Sequence, residues 1–331
     1  MSDAQVTREG LENVRPGREA RIWSASNGGR RGEGPVDHPR SSYYGNSIIN
    51  PPVWEELDIA GYLFLGGLAG ASSILAAGGD LTRRPTLARR SRLCASAAIA
   101  GSLTALIHDL GRPARFINMM RVVKPTSPMS IGTWILAAYS PLNFATSASD
   151  LTGIARPVGR AAGLGAAALG PAVASYTAAL IANTAVPAWH GAHREMPFLF
   201  AGSAASAGAG FGLLAAPLAE NAPAQRMAMA GAVAELAAEQ LMERRLGMVA
   251  ESMRTGTAGK RLKAAKALTA LGAVGAATLG RRNRVGAALS GAALVAGSAV
   301  TRFGIFAAGM ASATDPKYTV EPQRARLDAT R

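Results

Sequence analysis

Eight apolar runs, each close to the length that spans a lipid bilayer, follow one another along this chain. A membrane-spanning helix needs roughly 20 predominantly apolar residues. Within lipid the backbone N–H and C=O groups have to bond to each other, which favours helices for such runs. The runs cover residues 54–78, 87–109, 130–150, 161–182, 197–217, 224–244, 264–280 and 285–309. The sequence therefore predicts an all-α integral membrane protein with about eight transmembrane helices packed as a bundle.

The charge content supports this fold class. Charged residues make up 17% of the chain, whereas soluble domains carry roughly 25%. The net charge of +14 raises the question of nucleic-acid binding, but a basic stripe with interleaved aromatic residues is missing. We therefore expect the lipid bilayer, and not a nucleic acid, to be the environment of the basic segments.

The polar ends set the domain limits. Residues 1–45 are rich in Gly, Arg and Glu and offer little to bury, so we expect a mobile amino-terminal tail. This tail lacks the apolar stretch of a cleaved signal peptide, and the first helix is expected to direct insertion. The membrane domain is predicted over 46–314, followed by a polar carboxy-terminal tail over 315–331.

Eight spans would return the chain to the side of the membrane where it started. Side A, as defined here, then holds both termini and the loops 110–129, 183–196 and 245–263. Side B holds the loops 79–86, 151–160, 218–223 and 281–284. Basic residues divide evenly between the two sides, so the positive-inside rule does not fix the orientation. The long basic tail favours cytoplasmic termini in a multi-pass protein of the plasma membrane.

The first helix begins with carboxylates. Glu55, Asp58 and Tyr62 are spaced i, i+3 and i+7 and share one helical face. Asp58 stands about one turn inside the membrane boundary, where an unpaired carboxylate costs a few kcal/mol. We expect Asp58 to be protonated or paired with a cation. Alternatively, Glu55, Glu56 and Asp58 are solvated at the positive end of the helix.

The second helix ends with His108 and Asp109, and Gly and Pro then turn the chain. His108 is a candidate for proton handling because the unperturbed pKa of histidine is close to neutral. Asp109 either forms a local ion pair with Arg112 or takes part in chemistry. No histidine stands in mid-membrane, and Cys94 is the single cysteine. We therefore expect no haem, no iron–sulfur cluster and no metal site in this chain.

The sixth run carries Glu235, Glu239 and Glu243 at i, i+4 and i+8. Carboxylates within lipid are costly, so they should face the protein interior or a wet cavity. Glu235 and Glu239 are candidates for a proton path, while Glu243 is expected at the membrane boundary. Arg302 in the last run either pairs with Glu239 or reaches to the membrane surface with its long side chain.

Three stretches resemble the NrfD/polysulfide-reductase family of quinone-reactive membrane subunits. The first runs from Asn50-Pro51-Pro52-Val53-Trp54 to Gly66-Gly67. The second combines Asp-Leu-Gly-Arg-Pro at 109–113, Lys-Pro-Thr-Ser-Pro-Met-Ser at 124–130 and Gly-Thr-Trp at 132–134. The third includes Asn183-Thr184, Pro187, Trp189 and Pro197. The likeness covers about 46–215 well, although Pro52 and Val53 stand where some relatives have a histidine.

This resemblance implies a quinol pocket formed by the start of the first helix and the loop after the second, beside an iron–sulfur partner. Combined with the residue chemistry above, it makes Asp58, His108 and Asp109 the catalytic candidates. The candidates for quinone contact are Asn50, Trp54, Tyr62, Arg112, Trp134 and Trp189. A basic rim can steer an acidic partner, and here that rim consists of Arg115, Arg121 and Lys124.

The expected function is that of a membrane anchor which exchanges electrons between menaquinone or ubiquinone and a four-iron, ferredoxin-like subunit. The resemblance further implies a molybdopterin-containing catalytic subunit, such as that of a formate dehydrogenase or a polysulfide reductase. One alternative is a secondary transporter that uses Glu235, Glu239 and Arg302, although the inverted repeats common in transporters are not evident. A purely structural anchor is another alternative, but it leaves Asp58 and His108 unexplained.

Overall fold

The computed structural model describes residues 5–7, 10–12, 48–112 and 114–329. Within these ranges the body of the protein consists of eight helices of 20 or more residues, which we number α1 to α8. Their bounds are Glu56–Leu81 (α1), Pro85–Asp109 (α2), Pro128–Thr152 (α3), Arg156–Ala182 (α4), Met196–Ala215 (α5), Ala222–Leu246 (α6), Gly256–Ala277 (α7) and Arg284–Thr314 (α8). The predicted all-α class is confirmed.

Five of these helices are long and apolar enough to cross a membrane on composition alone: α1, α4, α5, α8, and α7 together with the turn that follows it. The remaining three, α2, α3 and α6, are less apolar. In α6 the reason is its charged residues, of which Glu235 and Glu239 are buried against the other helices. The protein is therefore a membrane protein with several apolar helices, and the full count of eight spans stays a prediction.

Short elements connect and flank the long helices. Two strands, β1 (Gln5–Thr7) and β2 (Gly10–Glu12), pair antiparallel. The rest of the predicted mobile tail, 1–45, lies outside the described residues. Short α-helices cover Ala114–Met119, Pro187–Gly191, Glu251–Arg254, Leu279–Arg282 and Lys317–Ala329, and 3-10 turns cover Leu218–Glu220 and Gly247–Ala250. The predicted carboxy-terminal tail is thus largely helical.

The largest error in the predicted helix boundaries is at the start of the seventh helix. Helix α7 begins at Gly256, eight residues before the predicted start at 264, so the loop expected over 245–263 is mostly helical. The predicted start is too late because Lys260, Arg261 and Lys263 are charged. A hydropathy pattern ends where charges begin, but a helix can continue beyond the lipid because long basic side chains reach water.

Close approach of glycines holds the helices together. A Cβ on Gly70 of α1 would lie 2.5 Å from the carbonyl oxygen of Gly170 on α4. Likewise, a Cβ on Gly210 of α5 would lie 2.6 Å from the carbonyl oxygen of Gly291 on α8. Helices in lipid gain little hydrophobic drive from association, so close backbone packing takes its place. These contacts fix which helices are neighbours.

The ends of the helices meet as the alternating topology predicts. On side A, Glu56 at the start of α1 pairs with Arg261 at the start of α7. Ser312 near the end of α8 accepts the Ala188 N–H, in the α4–α5 connection, at 3.1 Å. On side B, Glu220 accepts the Leu87 N–H at the start of α2 at 2.8 Å. Side A therefore brings together the segments that contain the predicted site.

Candidate functional site

A cavity of about 150 Å³ lies at the side-A end of α1, α2, α3 and α4. Most of its wall is apolar, and every one of the four helices contributes a leucine or isoleucine. Polar groups come from Trp54, Tyr62, Asp109, Thr133 and Tyr176. Three of these residues, Trp54, Tyr62 and Asp109, belong to the site predicted from the sequence.

The two tyrosines form a pair across the wall of this cavity. Tyr62 on α1 and Tyr176 on α4 are both buried, and their hydroxyls are hydrogen-bonded to each other. The ring of Tyr176 lies against Gly132 of α3, where a Cβ would be only 2.4 Å from Cε2 of the tyrosine. The glycine of the Gly-Thr-Trp segment thus leaves room for Tyr176.

Sequence reasoning missed Tyr176. A signal was available, since it is the single tyrosine of the apolar helix α4. Its pairing with Tyr62, however, joins residues 114 positions apart. Nothing local in the sequence indicates that contact.

Trp54 lines the cavity and is supported from behind by Trp189. The two indole rings stack with centroids 5.8 Å apart and an interplanar angle of 20°. Trp189 itself is fully buried and donates its indole N–H to the Ile305 carbonyl at 2.8 Å. Trp189 therefore positions Trp54 and does not line the cavity.

Asp58 and His108 form an ion pair where α1 meets α2. The His108 Nδ1 lies 2.6 Å from the Asp58 Oδ2, with the Asp58 side chain 15% exposed and that of His108 73% exposed. Of the alternatives given for Asp58, the structure shows pairing, and the partner is histidine. Neither residue lines the cavity, but their neighbours along the chain, Ile59 and Asp109, do.

Asp109 is the one carboxylate among the described residues that line the cavity. Its Oδ1 accepts the N–H of Glu55 at 3.4 Å, immediately before α1 begins. Backbone N–H groups at the start of a helix carry partial positive charge, so a carboxylate is favoured there. Asp109 thereby ties the end of α2 to the start of α1 beside Trp54.

The other predicted quinone contacts lie outside this cavity. Asn50 and Arg112 are exposed. Trp134 is also exposed, and its indole N–H donates to the Val122 carbonyl at 3.4 Å. Trp134 thus contacts the segment between α2 and α3.

The predicted docking residues Arg115, Arg121 and Lys124 are all exposed on the same segment. Met119 and Met129, which lie within and just beyond it, contribute to the cavity wall. The basic segment therefore adjoins the cavity directly.

A second group of ionisable residues lies deep between α5, α6, α7 and α8. Glu235 is buried and accepts the hydroxyls of Thr301 at 2.9 Å and Thr269 at 3.4 Å. Arg302 is fully buried, donates to the Phe200 carbonyl at 2.8 Å and lies 3.9 Å from the centre of the Phe200 ring. The structure thus places Glu235 inside the bundle, as a costly charge requires.

The prediction that Arg302 pairs with Glu239 or reaches the membrane surface is wrong. Arg302 is fully buried among the other helices, so its guanidinium does not reach the membrane surface. Glu239 instead pairs with Lys266 of α7 at 3.5 Å.

Lys266 continues this pairing towards side A. Its ammonium lies 2.5 Å from Glu243, and Glu243 also pairs with Arg254 at 2.9 Å. Alternating charges therefore run from the buried Glu239 to the exposed Arg254. Sequence reasoning missed Lys266, although it is a charged residue within the apolar run 264–280.

Fold and site together define an integral membrane protein built from long helices, with a largely apolar cavity at one membrane side. The chain belongs to the NrfD family, because the family model described as Polysulphide reductase, NrfD, matches residues 46–296. The match extends into α8, well beyond the 46–215 covered by the motifs. Members are membrane subunits of oxidoreductase complexes and typically assemble with iron–sulfur subunits. Among curated proteins, none matches this chain.

Proposed function

We propose that this subunit exchanges electrons between the membrane quinone pool and an iron–sulfur partner, and that the side-A cavity holds the quinone headgroup. The observation that carries the proposal is the hydrogen-bonded pair of Tyr62 and Tyr176 in an otherwise apolar wall. Of the two phenol hydrogens, one is used within the pair. The other is left to be donated to a ligand oxygen.

The cavity fits a headgroup and not a whole quinone. Its volume of about 150 Å³ is below the roughly 300–1,000 Å³ of sites that enclose a drug-sized ligand. An isoprenoid tail of menaquinone or ubiquinone would therefore remain in the lipid. Leu106, Leu136 and Leu180 supply an apolar surface for the ring.

Proton transfer needs titratable groups within reach of water. A bound quinone would supply two-electron, two-proton chemistry. Asp109 lies in the cavity wall. Asp58 and His108, which pair with each other, immediately precede the wall residues Ile59 and Asp109 in the chain. Because His108 is mostly exposed, this pair can pass protons between the site and the solvent on side A. We assign Asp58, His108 and Asp109 these roles.

Electrons enter or leave through the partner. We propose that a four-iron subunit docks at Arg115, Arg121 and Lys124, next to the cavity, and that a molybdopterin-containing subunit lies beyond it. The ion pairs from Glu239 through Lys266 and Glu243 to Arg254, with Glu235 one helical turn before Glu239 on α6, support a second proton route on the same side.

Removing the tyrosine hydroxyls one at a time tests the proposal. We expect Tyr62→Phe and Tyr176→Phe each to slow quinone turnover at least about tenfold, in line with the loss of a positioned donor, while the complex still assembles. Tyr139→Phe is the matched control. Its hydroxyl is also buried, but it bonds to Ser73 at 2.6 Å and lies outside the cavity. Turnover in the first two variants equal to that of the control would contradict the quinone site.

A further inference from the structure

A second apolar recess lies on the flank of the bundle towards side B. This groove, of about 520 Å³, is formed by α1, α2 and α5. Leu65 and Leu68 of α1 form one wall, Leu93 and Ala97 of α2 another, and Phe211 of α5 the third. One charged residue, Arg90, is found among the described residues that line it. The groove is unrelated to the site described above.

Arg90 stands at the side-B end of the groove. It lies five residues after Pro85, the first residue of α2, or about 8 Å along the helix axis. Leu93 and Ala97 follow at i+3 and i+7 on the same helical face, progressively deeper in the membrane. The α2 wall therefore runs from a cation near the membrane surface to apolar side chains near the middle.

The Arg90 guanidinium retains donors for a ligand. One of its nitrogens donates to the carbonyl of Ala215, the last residue of α5. A guanidinium carries five N–H donors in a planar fork that matches phosphate oxygens. The bond to Ala215 thus fixes the side chain and leaves further N–H groups for an anion.

The surroundings of Arg90 are positively charged. Arg83 and Arg89 are exposed at the same end of the bundle. Among the nearby acidic groups, Asp80 and Asp150 both pair with Arg92, and Glu220 accepts the Leu87 N–H. The arginines at this end of the bundle outnumber these carboxylates, so an anion at this end of the groove would meet a net positive field.

We propose that the groove binds an anionic phospholipid, with the phosphate on Arg90 and one acyl chain along Leu93, Ala97 and Phe211. From the membrane surface inwards, the groove presents first a cation and then an apolar wall, which is the order of headgroup and acyl chain in a phospholipid. A transmembrane helix of a partner fits less well. A helix is about 10 Å across and rises 1.5 Å per residue, so 520 Å³ holds only about four residues of one. A quinone brings no anion for Arg90.

Native mass spectrometry of the full-length chain in mild detergent tests this, with phosphatidylglycerol and phosphatidylcholine as probes. The wild type is expected to bind phosphatidylglycerol at least about fivefold better than phosphatidylcholine, since Arg recognises the net negative headgroup. Arg90→Gln should abolish that preference, while Arg90→Lys should keep most of it. Arg89→Gln, which changes the same charge one residue away but outside the groove, should leave the preference intact.

Substitutions that fill the groove provide a second, independent test of lipid binding. Ala97→Phe should lower the binding of both lipids severalfold, whereas Ala100→Phe, at an exposed position of α2 outside the groove, should not. The proposal is overturned if Arg90→Gln behaves like Arg89→Gln, or if Ala97→Phe behaves like Ala100→Phe. Recovery of a quinone in place of phospholipid from the wild type, lost in Ala97→Phe, would overturn it as well.

Discussion

Asp58 lies in the first turn of α1, where His108 of α2 contacts its carboxylate at 2.6 Å. An unpaired carboxylate at the membrane boundary is costly, and the contact with histidine lowers that cost. The same principle applies deeper in the bundle, where Lys266 lies between Glu239 and Glu243. Each of these charged residues can therefore stand within the bundle because a residue of opposite charge on another helix pairs with it.

Asp58→Asn and His108→Ala should keep the complex assembled but slow quinone turnover severalfold or more between about pH 6 and pH 8, the range in which histidine exchanges protons. Electron transfer from the substrate to the iron–sulfur clusters should survive. Glu195→Gln is the control, because Glu195 is also a side-A carboxylate that is 15% exposed and paired with a cation, Arg245 at 2.7 Å. Wild-type turnover in both test variants would remove these residues from the proton route.

Lys266→Met should destabilise the fold because Glu239 is left buried without its cation. Breaking a fully buried pair costs about 3–5 kcal/mol, and the partial exposure of Lys266 lowers the expected loss to about 1–3 kcal/mol. A double-mutant cycle with Glu239→Gln, followed by thermal unfolding in detergent, measures the coupling. If Lys266→Met costs the same in both backgrounds, the two residues do not interact energetically.

At the scale of helices, glycines set the distances that build the site. Gly132 admits the ring of Tyr176, so that α3 and α4 can close around the cavity. Gly309 of α8 does the same for Trp189, which in turn supports Trp54. The shape of the cavity is therefore fixed by helix contacts that lie partly outside it.

Gly309→Ala should lower stability and loosen the site. The added Cβ would lie 1.9 Å from Cε2 of Trp189, and the ring cannot retreat because Trp54 and Phe306 contact it. Overpacking of this kind costs about 1–3 kcal/mol. The apparent Tm in detergent is expected to fall, and the KM for quinol to rise.

Gly61→Ala is the control for this change. Gly61 lies within α1, and nothing surrounds its Cβ position within 4 Å. Alanine there should be neutral or stabilising by about 0.5–1 kcal/mol, as expected for replacing glycine inside a helix. An apparent Tm for Gly309→Ala equal to that of Gly61→Ala would show that Trp189 is not tightly held.

At the scale of the whole molecule, one side of the bundle carries both the cavity and a surface suited to a partner. The segment between α2 and α3 exposes Arg115, Arg121 and Lys124. Ile117, Val122 and Val123 are exposed alongside them. Apolar residues ringed by charge are typical of an interaction surface. A partner at this position would stand within a short distance of the cavity.

The double variant Arg115→Glu, Arg121→Glu should weaken co-purification of the iron–sulfur subunit at least severalfold, because reversed charge on the rim repels an acidic partner. Arg281→Glu, Arg282→Glu makes the same change at exposed positions on side B and should leave assembly unaffected. Equal recovery of the partner with both double variants would exclude the basic segment as its docking surface.

The sequence alone determined the elements of the fold. Runs of about 20 apolar residues predict helices because lipid leaves the backbone no other partner. All eight long helices are found among the described residues, with ends within five residues of those predicted except at the start of α7. The sequence also marked Trp54, Tyr62 and Asp109, which do line the cavity, and it gave pairing with a cation as one of the alternatives for Asp58. These results rest on local spacing, motif resemblance and the cost of charge in lipid.

Only the tertiary structure decided which side chains meet. In the structure Tyr176 is hydrogen-bonded to Tyr62, and Glu239 pairs with Lys266 and not with Arg302. Trp134 lies outside the cavity. The rotation of each helix about its axis and the choice of its neighbours depend on close glycine contacts between residues far apart in the chain. Hydropathy averages over a whole helix and carries little information on that rotation. The sequence could therefore indicate which segments form the site, but not which of their side chains contact each other.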